Sequence, residues 1–284
     1  MEHQDTGSAA QGIVLAAGLS APAVLILRPR PVTQPTLEVR TLLDILGLSA
    51  AARVKLLSQE LVRVLEGKVQ NGPFTGMLLP DESSWGFGDV APKILGCYEL
   101  ELHATIEKAI SRAPEIVINV GCAEGYYAVG LARRLPAAKT YAFDIDTKAT
   151  AVCRAAAERN GVADRLEVRG ECRAQDLVDL TRGVKRALIV LDCEGAELAL
   201  LTPEIVRQLA HCDIIVETHD FMNRTITPTL AKTLSAHHDP EHIREGPRDP
   251  AGYPVLRQLS SLDRALVTCE FRPEVMYWFA AWAR

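Results

Sequence analysis

The stretch Glu115-Ile-Val-Ile-Asn-Val-Gly-Cys-Ala-Glu-Gly125 is followed directly by two tyrosines and a helix-like run. Its apolar half predicts a strand buried on both faces, which ends in a glycine loop that leads into a helix. A second strand end, Asp144-Ile-Asp146, is acidic. A glycine turn, a helix N-terminus and a carboxylate on the next strand together form a binding site for a cofactor that carries a nucleoside.

The spacing of the two glycines distinguishes between such cofactors. Gly121 and Gly125 give the pattern G-x-x-x-G. Dinucleotide-binding enzymes instead carry G-x-G-x-x-G, in which the middle glycine lets the backbone approach a pyrophosphate. We therefore expect S-adenosylmethionine (SAM) as the cofactor, and the spacing disfavours an NAD-linked oxidoreductase.

Composition and charge are those of a globular protein without a general attraction to polyanions. The 284 residues are 48% hydrophobic and 24% charged, and the formal net charge is −5. No long basic run is present, which disfavours a nucleic-acid substrate. Seven cysteines without a C-x-x-C pair indicate reduced thiols in a cytoplasmic protein. The apolar run 13–27 contains Pro22 and follows an acidic start, so we expect neither a signal peptide nor a membrane anchor.

The distribution of Gly, Pro and apolar residues divides the chain into three regions. Residues 1–35 are predicted to be a leader with little order. Residues 36–90 are predicted to form two helices, the first ending at Gly47 and the second at Gly67, and then a turn-rich loop that covers a site. Residues 91–284 alternate between strands and helices, with a polar loop over residues 237–252. Such alternation predicts a parallel sheet with helices on both faces and ligands at the carboxyl ends of the strands.

Polar residues and glycines recur at these strand ends. Gly121 and Gly125 would let the backbone approach the methionine part of the cofactor. Asp144 would accept hydrogen bonds from the ribose hydroxyls, whereas capping of the next helix is the simpler role for Asp146. The full predicted cofactor site consists of Asn119, Gly121, Cys122, Glu124, Gly125, Tyr126, Asp144, Ile145, Glu171, Cys172 and Asp192.

Three segments resemble the class I SAM-dependent methyltransferases, and within them the FkbM-like family. Asn119-Val-Gly-Cys-Ala-Glu-Gly-Tyr-Tyr127 is similar to the family's glycine loop, Ala142-Phe-Asp-Ile-Asp146 to its ribose strand end, and Leu191-Asp-Cys-Glu-Gly-Ala-Glu197 to its I-D-V-E-G-A-E element. The resemblance covers residues 95–220. It implies a doubly wound, Rossmann-like, seven-stranded and mostly parallel sheet, and methyl transfer mostly to oxygen atoms of small molecules. Asn119 departs from the family pattern, which has a carboxylate at this position.

Methyl transfer to a hydroxyl group requires the loss of a proton, and the strand ends offer candidate bases in Asp192, Glu217 and His219. Some O-methyltransferases hold a divalent cation at the same two strand ends, so Asp192, Glu217 and Asp220 are candidate ligands of Mg²⁺. Helix capping and a loop position are the simpler alternatives for Asp192 and His219. The histidines of the segment 237–242 are expected to lie in a solvated loop.

The sequence as a whole predicts a cytoplasmic SAM-dependent methyltransferase that methylates an oxygen atom of a small hydroxylated metabolite, such as a sugar or a polyketide. Its expected partner is this small-molecule acceptor, with no nucleic acid and no membrane. A protein or peptide N- or O-methyltransferase is the first alternative, and a SAM-binding regulatory protein without turnover is the second. A homo-oligomer formed through the N-terminal helices is a further open alternative.

Overall fold

A computed structural model describes residues 37–80 and 88–284 of the chain. The predicted leader and part of the predicted cover loop, including Trp85, lie outside these residues. The chain divides into two compact units, Met1–Ile45 and Leu46–Arg284. The first unit is described only from residue 37 onward, where it forms the beginning of helix α1.

The second unit is built around a seven-stranded sheet in the order β3-β2-β1-β4-β5-β7-β6. Strands β1 to β5 are parallel, and β7 runs antiparallel to both of its neighbours, β5 and β6. This arrangement confirms the predicted Rossmann-like, mostly parallel sheet. The strands are β1 (Ile116–Val120), β2 (Lys139–Phe143), β3 (Leu166–Arg169), β4 (Ala187–Leu191), β5 (Cys212–Thr218), β6 (His238–Arg244) and β7 (Tyr277–Ala283).

Ten α-helices connect and cover these strands in the described part of the chain. They are α1 (Leu37–Val64), α2 (Val90–Leu95), α3 (His103–Ser111), α4 (Tyr126–Arg134), α5 (Thr147–Arg159), α6 (Ala174–Thr181), α7 (Glu197–Leu200), α8 (Pro203–Gln208), α9 (Ile226–Ser235) and α10 (Ser261–Thr268). Within the described residues, none of the helices combines the length and the apolar character needed to cross a bilayer.

The centre of the sheet is buried on both faces because β1 and β4 are apolar at every position but one. In β1, Val117 packs into a cluster that includes Leu131 of α4, whereas its neighbour Ile118 packs into a second cluster that includes Leu177 of α6. Successive side chains of a strand point to opposite faces, so one apolar run supplies both clusters. Asn119 is the exception in β1, and its side chain is also buried.

Two predicted elements differ from the observed ones. The two predicted N-terminal helices form one helix, α1, which continues through Gly47, because a glycine weakens a helix by only about 1 kcal/mol. The predicted polar loop 237–252 contains strand β6, which forms the edge of the sheet beside β7. Pro240 lies inside β6, in the kind of strand where proline is tolerated, since one side of an edge strand needs no hydrogen-bond donor.

Candidate functional site

A cavity of about 760 Å³ opens at the carboxyl ends of β1, β2, β4 and β5. In open α/β sheets a ligand binds where the strand order reverses, and here that position lies between β1 and β4. The start of α2 and the segment between α10 and β7 complete the walls of the cavity. The site is therefore made both of the predicted strand ends and of segments far from them in sequence.

The glycine loop between β1 and α4 forms the floor of the cavity. Gly121 has a positive φ of 75°, and a Cβ atom added there would lie 1.6 Å from the backbone oxygen of Asp192. Gly125 also has a positive φ, of 95°, and caps the N-terminus of α4. The loop is held against β2 because the N–H groups of Gly121 and Cys122 both donate to the carbonyl of Phe143, at 2.9 Å. The absence of a side chain at Gly121 thus lets the loop backbone pack directly against the backbone at the end of β4.

The end of β2 offers the groups that a nucleoside needs. Asp144 lines the cavity, and its Oδ2 accepts a hydrogen bond from Ala123 N–H of the glycine loop at 2.8 Å. Ile145 is 82% exposed and lies at the same wall, with Glu171 and Cys172 opposite on the next strand end. A carboxylate beside an exposed apolar side chain fits a ribose and an adenine, so this end of the cavity fits the nucleoside half of SAM. Asp146 instead caps α5 by accepting from Lys148 N–H.

Five of the predicted cofactor residues are not among those that line the cavity. Asn119 is buried, and its Nδ2 donates to the carbonyl of Val190 at 3.4 Å. Glu124 is buried against the ammonium group of Lys93. Cys122, Gly125 and Tyr126 support the glycine loop from behind, and the ring of Tyr126 packs edge-on against Phe74.

Four ionisable side chains converge beyond the ends of β4 and β5. The Nε2 atom of His219 lies 3.4 Å from Asp192 Oδ1, 3.5 Å from Glu194 Oε2 and 3.8 Å from Glu217 Oε2. All four residues line the cavity. Asp192, Glu217 and His219 are among the candidates predicted from the sequence, whereas Glu194 is not.

The histidine of this group is held as a cation. Burial alone would lower the pKa of His219, but hydrogen bonds to Asp192 and Glu197 and the charges of the surrounding carboxylates raise it to about 11. The Nδ1 atom is hydrogen-bonded to Glu197, which is fully buried. This arrangement disfavours the predicted role of His219 as a base, because a ring protonated on both nitrogens cannot accept a further proton.

Arg272 lines the cavity and binds neighbouring carboxylates, and no pattern in the sequence pointed to it. It lies between α10 and β7 and pairs with Glu99, Glu217 and Glu270. Burial raises the pKa of Glu217 well above its ordinary value and that of Glu99 to about 7, although Arg272 opposes both shifts. Glu217 is thus part of a buried ion network, which leaves it unsuited to the predicted role of a free base.

Of the predicted Mg²⁺ ligands, Asp192 and Glu217 have oxygen atoms within 4.8 Å of one another and of an oxygen of Glu99, whereas Asp220 is not part of this group. Both oxygens of Asp220 accept hydrogen bonds from Thr227, and Asp220 does not line the cavity. Glu217 is engaged by Arg272. The ligand atoms of Asp192, Glu194 and His219 do lie within 4.8 Å of one another, but the imidazolium is a donor and Mg²⁺ prefers oxygen ligands. The predicted set of Asp192, Glu217 and Asp220 does not fit Mg²⁺.

Residues 101–212 match the family model of the ribosomal protein L11 methyltransferase (PrmA), and this segment contains the glycine loop, Asp144 and Asp192. The L11 methyltransferase of Salmonella newport strain SL254 is 50% identical over 127 residues, which cover 41% of this chain and 41% of that protein. The L11 methyltransferase of Shigella sonnei strain Ss046 is 50% identical over 54 residues, or 19% of this chain and 18% of that protein. The chain thus spans less than half the length of these relatives.

Solved structures with a similar fold include an O-methyltransferase from Bacillus cereus in complex with SAH, S-adenosylhomocysteine (TM-score 0.41, 15% identity, 79% of this chain and 90% of that one). An rRNA methylase from Streptococcus thermophilus is another (TM-score 0.41, 14% identity, 64% of this chain and 96% of that one). The family whose model matches is a methyltransferase family, as the sequence predicted. The narrower resemblance to the FkbM-like family stays a prediction.

These comparisons correct the predicted partners, which were a small-molecule acceptor and no nucleic acid. The family model and the relatives are named for a ribosomal protein as the methylated molecule. The acceptor that these names give is a protein, so the predicted small-molecule acceptor was wrong.

Proposed function

We propose that this chain is a SAM-dependent methyltransferase whose acceptor is an amino group of a polypeptide. The cofactor half of the proposal is supported by the glycine loop at Gly121, by Asp144 at the end of β2 and by the exposed Ile145 beside it. The match of residues 101–212 to a methyltransferase family supports the same cofactor. The relatives named for a ribosomal protein support a polypeptide as the carrier of the accepting group.

The observation that carries the choice of acceptor is the excess of carboxylates at the β4 and β5 end of the cavity. Asp192, Glu194, Glu217 and Glu270 line this end, against the two cations His219 and Arg272. A partly enclosed cavity with an excess of one charge attracts ligands of the opposite charge. An ammonium group is therefore favoured over a neutral hydroxyl group.

Bound SAM supplies an electrophilic methyl group, so that an N–C bond forms as the C–S bond breaks, SAH leaves, and the nitrogen gives up a proton. The residues of the chain have to accept this proton, because only an unprotonated amine has a lone pair for the attack. His219 already holds a proton and cannot accept it. At this end of the cavity Glu217 and Glu270 are paired with Arg272, so the remaining candidates are Asp192 and Glu194.

Glu194 is the better proton acceptor of the two. Burial raises the pKa of Glu194. Burial acts in the same direction on Asp192, but the hydrogen bonds from His219 and Glu217 and the charges of His219 and Arg272 together outweigh it and lower the pKa of Asp192. Glu194 also has a φ of +48°, a backbone conformation that is costly for a residue with a side chain and that is concentrated at functional sites. We assign to Glu194 the role of accepting the proton. Asp192 then orients the ammonium group.

The proposal is tested with SAM labelled with tritium in its methyl group, using purified ribosomal protein L11 and total ribosomal protein as acceptor probes. Label that stays on the polypeptide after treatment with base is expected, because N-methyl groups survive it and methyl esters do not. Glu194→Gln should lower the rate about 10²- to 10⁴-fold while SAH affinity changes less than threefold. Glu204→Gln, in an exposed pair with Arg207 on α8, is the matched control and should leave the rate unchanged.

Three results would contradict parts of this proposal. Label that is removed by base would show that the accepting atom is a carboxyl oxygen and not a nitrogen. Binding of SAH without label in any polypeptide would favour a SAM-binding protein without turnover. A folded protein that binds neither SAM nor SAH would remove the proposal as a whole.

A further inference from the structure

A buried lysine contacts the glycine loop from outside the segment that matches the methyltransferase family. Lys93 belongs to α2, whereas the matched segment begins at residue 101. Its side chain is only 4% exposed, and its ammonium group pairs with Asp89 and with Glu124. The ammonium also lies 4.7 Å from the centre of the Tyr98 ring. A buried charge of this kind is costly unless it is well paired, so this arrangement needs an explanation.

Lys93 lines the cavity together with Asp89 and Tyr98, at the wall that meets the glycine loop. Its partner Glu124 directly precedes Gly125 in that loop. Among the described residues that line the cavity, the other two cations are Arg272 and His219. Arg272 is surrounded by three carboxylates, and His219 lies among Asp192, Glu194 and Glu197. Lys93 is thus the cation that is placed beside the loop.

The charges around Lys93 match the amino-acid end of SAM. That end carries an ammonium and a carboxylate, so it requires both an anion and a cation from the protein. Lys93 with Asp89 and Glu124 provides one positive and two negative charges. An ammonium group has three N–H donors, and two carboxylates account for two of them. Among the described residues these two carboxylates are its hydrogen-bond acceptors, which leaves the third donor for a carboxylate of the ligand.

Because residue 119 is an asparagine and not a carboxylate, the negative charge for the amino group of the cofactor has to come from another residue. Asn119 stands at the end of β1, where the resemblance to known methyltransferases leads one to expect a carboxylate for the amino group of the cofactor. Its side chain is buried, is hydrogen-bonded to Val190, and does not line the cavity. Asp89 does line the cavity, and it comes from a different part of the chain.

We propose that the ammonium group of Lys93 binds the carboxylate of the methionine part of SAM while it remains paired with Asp89 and Glu124. This inference rests on the proposed function, because it assumes SAM as the cofactor. Helix α2 would then bind the amino-acid half of the cofactor, while Asp144 binds the nucleoside half. Lys93 is a binding and positioning residue in this assignment, and it takes no part in the chemical step.

The test compares two ligands by titration calorimetry. SAH contains the amino-acid end, and 5′-methylthioadenosine lacks it while keeping the nucleoside. The wild-type protein is expected to bind SAH at least tenfold more tightly. Lys93→Met should weaken SAH binding about tenfold to a hundredfold, as expected for the loss of a charge-assisted hydrogen bond, and should change the affinity for 5′-methylthioadenosine less than threefold.

Lys108→Met is the matched control. Lys108 also pairs with a carboxylate, Glu241, and lies 4.0 Å from the centre of an aromatic ring, that of Trp282, but it does not line the cavity. It should leave both affinities unchanged. If Lys93→Met does not fold, the double variant Lys93→Met with Glu124→Gln removes one of the carboxylates left without a partner and serves the same comparison.

The outcomes separate this inference from the proposed function. Equal affinity of the wild type for the two ligands, or an equal loss of both in the Lys93 variant, would overturn the role of Lys93 and leave SAM as the cofactor. A folded wild type that binds neither ligand would overturn both. A selective loss of SAH affinity supports the assignment.

Discussion

Gly121 shows how a single residue fixes the distance between two strand ends. Its Cβ position would overlap the backbone oxygen of Asp192 at 1.6 Å, and its φ is +75°. Gly161 has a similar φ of +66°, but nothing lies within 4 Å of its Cβ position. The two glycines therefore separate the effect of a steric clash from the effect of backbone strain.

Gly121→Ala is expected to lower the free energy of unfolding by about 4 kcal/mol or more, because a backbone clash cannot be relieved by side-chain movement. Gly161→Ala should lose only about 1–2 kcal/mol, which is the cost of a left-handed conformation. Urea unfolding of both variants measures the difference. Equal losses of unfolding free energy in the two variants would show that the glycine loop can move away from β4 without a cost in stability.

His219 predicts how stability depends on pH. Its pKa is about 11 in the folded protein against an ordinary value of 6.5, so the folded state holds a proton that the unfolded state releases between these values. The stabilisation is complete below pH 6.5 and is lost as the pH rises towards 11. The urea midpoint should fall between pH 6.5 and 9.5, and it should fall less in His219→Gln. The same dependence in both proteins would assign it to other groups.

The predicted residues that line the cavity are those whose position follows from strand ends alone. Asp144, Asp192 and Glu217 line the cavity because parallel strands end at one edge of a sheet. Lys93 and Arg272 could not be located in this way. Lys93 reaches Glu124 across 31 residues, and Arg272 reaches Glu217 across 55, so these contacts depend on how whole elements pack.

At the level of elements, Arg272 connects segments that share no hydrogen-bonded ladder with one another. It joins the turn before α3, through Glu99, to the end of β5, through Glu217, from the segment between α10 and β7. All of these carboxylates are buried. Removing the guanidinium would leave their charges without a partner in the interior.

Arg272→Met should therefore lower the free energy of unfolding by about 3–5 kcal/mol at pH 7, as expected for a broken buried ion pair. Burial raises the pKa of Glu99 to about 7, so the loss should be smaller at pH 5, where these carboxylates take up protons. Arg224→Met removes an exposed two-bond pair with Glu274 and should have no measurable effect. Urea unfolding at both pH values tests this, and similar losses for the two arginines would contradict it.

The elements themselves were predictable where one signal dominated. Continuous apolar runs identified β1, β4 and β5. The sequence of β6 is polar and contains a proline, so it was predicted to be a loop. It forms a strand because an edge strand needs neither an apolar face nor a full set of backbone hydrogen-bond donors. Gly47 suggested a helix end that the packing of α1 overrides: Val54 and Leu61 are buried, and Arg53 pairs with Asp263 of α10.

At the level of the whole molecule, a bound cofactor should stabilise the fold. SAH at about 100 times its dissociation constant contributes roughly 2.7 kcal/mol, which is visible as a rise in melting temperature. Asp144→Ala should remove most of this rise, because the carboxylate lines the nucleoside end of the cavity. Asp146→Ala loses the cap of α5 and about 1 kcal/mol, but should keep the full rise. A full rise in the melting temperature of Asp144→Ala would show that the nucleoside does not bind at the end of β2.

The order of strands also has a consequence for synthesis on the ribosome. β7 is the last strand of the described chain, and it lies between β5 and β6, which are both made earlier. Until it emerges, β6 has no strand to pair with, and β5 presents an open edge to which other chains could add. Arg272, just ahead of β7, arrives at the same moment. A nascent chain stalled before residue 272 would hold neither a complete sheet nor the cation that neutralises Glu217, so we expect such chains to depend on chaperones and to lack methyl-donor binding.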